Sequence, residues 1–243
     1  MKHLEKALVI DAGNTRIKVA IFQHSEIQLV RAFSNDELAE LKHFLIGLEQ
    51  IPAIIASVRS ENNTKWLHRM LPKALRFSNK SLLPIQIAYE TPTTLGVDRI
   101  ANAVAAHHFA VKDALVIDIG TCIKYDFVDA KGVYHGGGIS PGINLRYKAM
   151  HTFTGKLPLI EDTLKTSTVG KNTQDAMRSG VMNGMTHEIL GFIDEYRRNY
   201  PELTIFLTGG DHQHFDLGLK NGIFADENLT LKGLQIVLAH AHA

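Results

Sequence analysis

The sequence has 243 residues, 45% hydrophobic and 21% charged, a composition that supports a packed core and excludes disordered, collagen-like and low-complexity architectures. Lys and Arg number 26 against 25 Asp and Glu, so the net charge of +1 gives no basis for a nucleic-acid or membrane-surface protein held by bulk electrostatics. Length leaves one large domain or two small ones open.

In chain order, Ala7-Leu8-Val9-Ile10 predicts a buried strand, which the Asp11-Ala12-Gly13 turn ends. The run is too short for a signal peptide, and no stretch approaches the ~20 apolar residues of a membrane span. Residues 17–22 predict a second strand, and the Gly and polar residues before it make a hairpin signal. A third strand follows at 27–33. Residues 36–49 carry helical periodicity, with Leu38, Leu41, Leu45 and Leu48 on one face and Asn35 or Asp36 as the cap. The pattern continues with a strand at 51–57, a short helix at 61–71 and a strand at 83–89. Thr91-Pro92-Thr93 is a loop leading to Gly96-Val97-Asp98-Arg99, which opens an Ala-rich helix at 100–110.

The second half begins with a repeat. Ala7-Leu8-Val9-Ile10-Asp11-Ala12-Gly13 recurs as Ala114-Leu115-Val116-Ile117-Asp118-Ile119-Gly120, identical at six of seven positions with an offset of 107. After a turn one residue longer in the first copy, Ile17-Lys18 answers Ile123-Lys124. The repeat implies a duplicated chain with halves at 1–112 and 113–243. A return strand is expected at 132–139, then a loop punctuated by Pro141-Gly142. A long helix at 172–199, a buried strand at 203–207 ending in Thr208-Gly209-Gly210-Asp211, and a closing helix at 231–242 complete the pattern.

Three segments carry chemistry. In Asp11-Ala12-Gly13-Asn14-Thr15-Arg16-Ile17-Lys18, a strand–turn–strand containing Gly and Asn lets successive backbone amides converge on a phosphate. Asp11 stands where a divalent cation bridges phosphates, and Lys18 returns as a point charge. The competing reading is a tight hairpin whose Asn14 and Thr15 satisfy local backbone, but a second copy favours function. That copy, Asp118-Ile119-Gly120-Thr121, adds a hydroxyl, and two such turns suit a polyphosphate although no P-loop or dinucleotide fingerprint is present. Lys124 reads equally as a phosphate contact or a solvent-facing strand residue. In Gly96-Val97-Asp98-Arg99, Asp98 at a helix start is either a cap or a base taking a proton from an attacking hydroxyl, and Arg99 suits a substrate carboxylate.

Taken together with Gly137-Gly138, Pro141-Gly142 and Asn172-Thr173, these motifs resemble, in order and across essentially the whole chain, the type III pantothenate kinases. The resemblance implies an α/β fold of duplicated ribonuclease H-like (actin-like ATPase) halves around a central nucleotide cleft. It implies ATP-dependent phosphorylation of pantothenate, the first step toward coenzyme A, with Asp98 as proton acceptor. ATP phosphates would meet Asp11, Ala12, Gly13, Asn14, Thr15, Arg16, Ile17, Lys18 and Thr121, and pantothenate would meet Tyr89, Gly96, Val97, Asp98, Arg99 and Thr173. Asp118 matches the family's monovalent-cation ligand, for K+ or NH4+, and Mg2+ would bridge the phosphates. The family is typically dimeric. One departure stands out: after Gly-Thr the family often continues Ala-x-Thr, whereas this chain reads Cys122-Ile123-Lys124.

The remaining candidates read as ordinary residues. The sequences His212-Gln213-His214 and His240-Ala241-His242 lack the supporting ligands of a zinc site. The single cysteine, Cys122, cannot make an internal disulfide and fits a reducing, cytoplasmic compartment. Two rivals to a kinase stay open: a phosphatase or NTP hydrolase using water on the same scaffold, and a non-catalytic nucleotide-binding regulator.

Overall fold

The run Ala7-Leu8-Val9-Ile10 forms the centre of β1 (Lys6–Ala12), and all four side chains are withdrawn from water in the computed structural model, which describes residues 4–59, 61–164, 167–215 and 222–243. Burying a Leu, Val or Ile side chain fully contributes about 1.5–3 kcal/mol, so this strand anchors its sheet. It pairs antiparallel with β2 (Arg16–Gln23), which pairs antiparallel with β3 (Glu26–Ser34). After α1 (Leu38–Leu45), β4 (Ala53–Ser57) returns parallel to β1. Then α2 (Glu61–Met70) leads to β5 (Leu75–Arg76), completing a sheet of order β3-β2-β1-β4-β5.

Contacts divide the chain into two units, the first comprising Met1–Phe109, Gly132–His135 and Asn228–Ala243. One face of β1, carrying Leu8, Ile10 and Ala12, packs with Leu41 and Leu45 of α1 and with Leu67. The closing helix of the chain also packs on β1 and β4. A strand covered on both faces needs no polar alternation, which is why the sequence there is a continuous apolar run. The short strand β6 (Gln86–Ile87) precedes α3 (Val97–Ala110), whose residues from Arg99 to Ala106 are all buried.

The second unit comprises Ala110–Lys131 and Gly136–Glu227. It begins with β7 (Ala114–Ile119), buried throughout, which pairs antiparallel with β8 (Cys122–Val128). Then β9 (Val133–Pro141) starts with residues of the first unit, where Val133 and Tyr134 pair with β6. Three helical stretches follow, α4 (Ile143–Phe153), α5 (Thr173–Arg178) and α6 (Gly184–Asn199). The unit's last strands are β10 (Thr204–Thr208), parallel to β7, and β11 (Ile223–Ala225), parallel to β10. The chain closes with α7 (Leu229–Ala241), whose Thr230 hydroxyl donates to Asn102 Oδ1 of α3 at 2.8 Å. The order β11-β10-β7-β8-β9 repeats β5-β4-β1-β2-β3 strand for strand.

Several elements differ from expectation. The helix expected at 36–49 ends at Leu45, because Ile46 turns extended and Gly47 takes φ +84°. The strand expected at 83–89 shortens to Gln86–Ile87, and Pro92–Thr94 is a 3-10 turn rather than a plain loop. The helix expected at 172–199 is interrupted by a π-helical stretch at Ser179–Asn183. The α4 helix was not expected: only its Ile143 and Tyr147 are buried, too sparse a stripe to stand out. Among the described residues, no helix is long and apolar enough to cross a membrane.

Candidate active site

The first turn is built where β1 and β2 meet. Register places Asp11 opposite Lys18 and Ala12 opposite Ile17, leaving Gly13-Asn14-Thr15 as the connection. Asn14, Thr15 and Arg16 are exposed, whereas Asp11 and Lys18 are half-buried at the strand ends. The neighbouring parallel strand contributes a group that sequence reading missed: Arg59, just beyond β4, donates from Nε to Gly13 O at 2.5 Å. Its backbone N–H donates to Ser57 Oγ at 3.0 Å, and its Nη2 is buried with no hydrogen-bond partner among the described residues. The available signal was topological, since residues just past the carboxyl ends of parallel strands converge on the binding crevice in α/β sheets.

The second group also lies in the first unit. Asp98 sits in the first turn of α3, partly buried, and its Oδ1 is 2.5 Å from where a Cβ at position 96 would stand. Glycine at 96 therefore makes room for the carboxylate. Gly96 O accepts from the backbone N–H groups of Arg99 (3.1 Å) and Ile100 (3.3 Å), fixing the entry into the helix. The Arg99 side chain is only 4% exposed, with its guanidinium carbon 5.8 Å from the Tyr89 ring centroid. Tyr89 in turn packs on the fully buried Tyr134, ring centroids 6.2 Å apart. Burial and a cation–π contact thus hold the guanidinium in place. Tyr89, Gly96, Val97, Asp98 and Arg99 form one local group.

The third group, in the second unit, is the turn between β7 and β8. Asp118 faces Lys124 across the hairpin, and Lys124 Nζ donates to Asp118 Oδ2 at 2.7 Å, with the two side chains 19% and 11% exposed. Gly120 N–H donates to Cys122 O at 3.1 Å, which leaves Thr121 exposed at the tip. Two further turns brace this one. Gly209 adopts φ +91°, and a Cβ there would lie 2.5 Å from Asp118 Oδ1 and collide with Ile119 O. Asp211 N–H donates to Ile119 O at 2.9 Å, and His212 Nδ1 lies 2.6 Å from Gly209 O. On the other side, Gly142 N–H donates to Thr121 O at 3.0 Å, and a Cβ at 142 would collide with Gly120 O.

The Pro141-Gly142 segment is itself pinned. Arg146 donates to Pro141 O at 2.8 Å and Ser140 Oγ at 2.9 Å, and it pairs with the Glu188 carboxylate. Tyr125 stacks on Phe192 and donates its hydroxyl to Glu188 Oε1 at 3.0 Å. Burial first, and the Glu188 charge second, hold that hydroxyl protonated well above the usual tyrosine range. Thr173 opens α5 and is exposed, while Asn172 caps that helix by accepting from Asp175 N–H at 2.9 Å. Among the described residues, no group of three or more His, Cys, Asp and Glu is arranged to hold a metal.

A family model described as type III pantothenate kinase matches residues 7–195. A type III pantothenate kinase of Bacteroides fragilis is 46% identical over 234 residues, 95% of this chain and 96% of that one. The likeness to solved structures reaches a Campylobacter jejuni protein provisionally described as a Baf family transcriptional activator, with TM-score 0.65, 21% identity and coverage of 96% and 98% of the two chains. It also reaches the activator of the 2-hydroxyisocaproyl-CoA dehydratase from Clostridium difficile, with TM-score 0.55, 11% identity and coverage of 98% and 96% of the two chains. At those identities the structural likeness concerns the fold alone, an α/β architecture of the duplicated actin-like ATPase kind.

Proposed function

The chain belongs to the type III pantothenate kinase family, and on that premise we propose how its residues divide the ATP-dependent phosphorylation of pantothenate to 4'-phosphopantothenate, the first step of coenzyme A biosynthesis. Asp98 is the general base. Its carboxylate takes the proton of the substrate's primary hydroxyl as that oxygen bonds to the γ-phosphorus, while the bond to the β-phosphate oxygen breaks in line and ADP leaves. The observation that carries this role is the Asp98 carboxylate folded over Gly96 in the first turn of α3, one residue before Arg99, whose guanidinium is held on the Tyr89 ring. Arg99 takes the pantothenate carboxylate in bidentate fashion, with Tyr89, the Gly96-Val97 backbone and Thr173 as further substrate contacts.

The ATP phosphates fall to the first turn, through the backbone amides of Ala12, Gly13, Asn14, Thr15, Arg16 and Ile17 and the ammonium of Lys18, and to the Thr121 hydroxyl. Arg59 belongs with this set, since its hydrogen bond to Gly13 O steadies the turn. When bound, Mg2+ offsets the charge that develops on the transferring phosphoryl group. One carboxylate at a strand end, Asp11, together with the phosphates of ATP is the kind of donor set Mg2+ takes in kinases, rather than an all-protein cage. For K+ or NH4+ at Asp118 the fit fails. That carboxylate already holds the Lys124 ammonium at 2.7 Å, and a second cation on it would meet like-charge repulsion.

A homodimer in the cytoplasm completes the reading. Half of the large hydrophobic side chains exposed among the described residues fall between 139 and 190, including Ile139, Leu145, Phe153, Leu159, Leu164 and Val169. Exposed large apolar side chains concentrated in one stretch of chain support an interaction face there. Sedimentation should give twice the 27.0 kDa chain mass; a monomer at every concentration would refute the dimer. The catalytic assignment is tested with Asp98→Asn, which should abolish phosphopantothenate formation and leave ATP affinity unchanged. Near-normal turnover would reject Asp98 as the base.

A further inference from the structure

We infer that Lys124 is a tethered monovalent cation: its ammonium, seated on Asp118 beside the Gly120-Thr121 turn, supplies the positive charge that a free K+ would bring, so this enzyme turns over without added monovalent cation. The inference deepens the kinase reading above and rests on it.

The pairing is built into the hairpin. Strands β7 and β8 are antiparallel, and their register sets Asp118 directly opposite Lys124. Cross-strand neighbours of opposite charge attract, and here the contact closes to 2.7 Å, the length of a charge-assisted hydrogen bond. The side chains are 11% and 19% exposed, so bulk salt screens the pair far less than it screens a surface ion pair. Gly209 packs so tightly on the Asp118 carboxylate that no Cβ fits between them, which keeps the acceptor from swinging away. An ammonium is a compact point charge with three donors, chemically the closest side-chain counterpart of a monovalent cation. A neutral hydroxyl at 124 would carry no charge and would leave Asp118 to recruit a free ion.

The register supplies a second, independent line. The first copy of the repeat sets Asp11 opposite Lys18 at the same place in its hairpin. An Asp facing a Lys at the mouth of the turn is therefore common to both copies in this chain, and Lys124 belongs to the design of the turn rather than to its solvent-facing side.

The test compares the natural enzyme with Lys124→Thr and Lys124→Ala in choline chloride and in KCl at equal ionic strength. The natural enzyme should form phosphopantothenate at rates within about twofold in the two salts, whereas each variant should lose at least about tenfold in choline and recover in KCl. Melting curves give a readout free of turnover: KCl in place of choline should raise the melting temperature of Lys124→Thr by several degrees and leave the natural enzyme unchanged. A natural enzyme that needs KCl, a KCl-dependent melting shift in it, or variant losses that KCl does not repair would overturn the inference. If the variants fail to fold, the two measurements on the natural enzyme still decide. Absence of phosphopantothenate in every salt would instead remove the kinase reading, and the melting comparison would remain decisive for the cation.

Discussion

Asp98 has two physical roles open to it in the first turn of α3. A carboxylate there interacts favourably with the helix dipole, worth about 0.3–1 kcal/mol of stability. As a base it would be worth about 10²–10⁴-fold in turnover. The two separate in Asp98→Asn, because loss of the charge–dipole interaction costs only that modest amount of stability, whereas Asn cannot accept the proton. A purely structural carboxylate predicts full activity per folded molecule; a base predicts loss of turnover in molecules that stay folded, with at most a small fall in melting temperature. Asp98 and Arg99 were legible in the sequence because they sit in one contiguous motif. Lys124 was only half legible. Its facing of Asp118 follows from counting outward from the hairpin turn, but whether the side chains meet depends on Gly209, which arrives from 91 residues away and presses on the same carboxylate. Arg59 was not legible at all, since its relation to Gly13 passes through the parallel pairing of β1 with β4.

Between residue and whole chain, the second unit carries charge pairs away from its turn. Arg178 of α5 grips Asp162 with two hydrogen bonds, 2.9 Å from Nε and 2.6 Å from Nη2, and reaches Asp175 at 3.1 Å. The hydrogen bonds from Arg178 hold the Asp162 carboxyl below the ordinary carboxylate range. A carboxyl depressed in the folded state contributes stability above its unfolded value, near pH 4, and loses that contribution as the pH falls further. Urea midpoints at pH 6 and pH 3 should therefore fall more for the natural enzyme than for Asp162→Asn; equal falls would show that the pair does not couple folding to protons. The same region shows where element reading runs out. The apolar spacing of 172–199 suits one helix, and it does not mark the π-helical stretch at Ser179–Asn183, which contains Gly180 and is followed by Gly184. In α4 the polar and exposed majority hides the two residues that anchor it, Ile143 and Tyr147. By contrast β1 and β7 were read almost to their ends, because strands buried on both faces write an unbroken apolar run.

At the scale of the whole molecule, the seven-residue repeat turned out to mark a repeated topology: five strands in each sheet share one order, and β7 pairs antiparallel with β8 and parallel with β10 as β1 does with β2 and β4. We propose that the halves at 1–112 and 113–243 are the two copies of that plan. Contact grouping in space follows a different partition, since α7 closes the second copy in sequence while packing on β1 and β4 of the first unit. Helix α7 offers the surface of seven buried apolar side chains only to a partner sheet, and sequence periodicity reports that such a face exists without naming the sheet. The near-neutral net charge of +1 is consistent with phosphate binding through a few placed amides and ammonium groups rather than through a global positive field. The central claim is that this scaffold transfers the γ-phosphoryl group to pantothenate and not to water. Quantifying ADP and phosphopantothenate together, in the presence and absence of pantothenate, tests it most directly. The account predicts one phosphopantothenate for each ADP and negligible ADP without the acceptor; ADP released at the same rate whether or not pantothenate is present would contradict it.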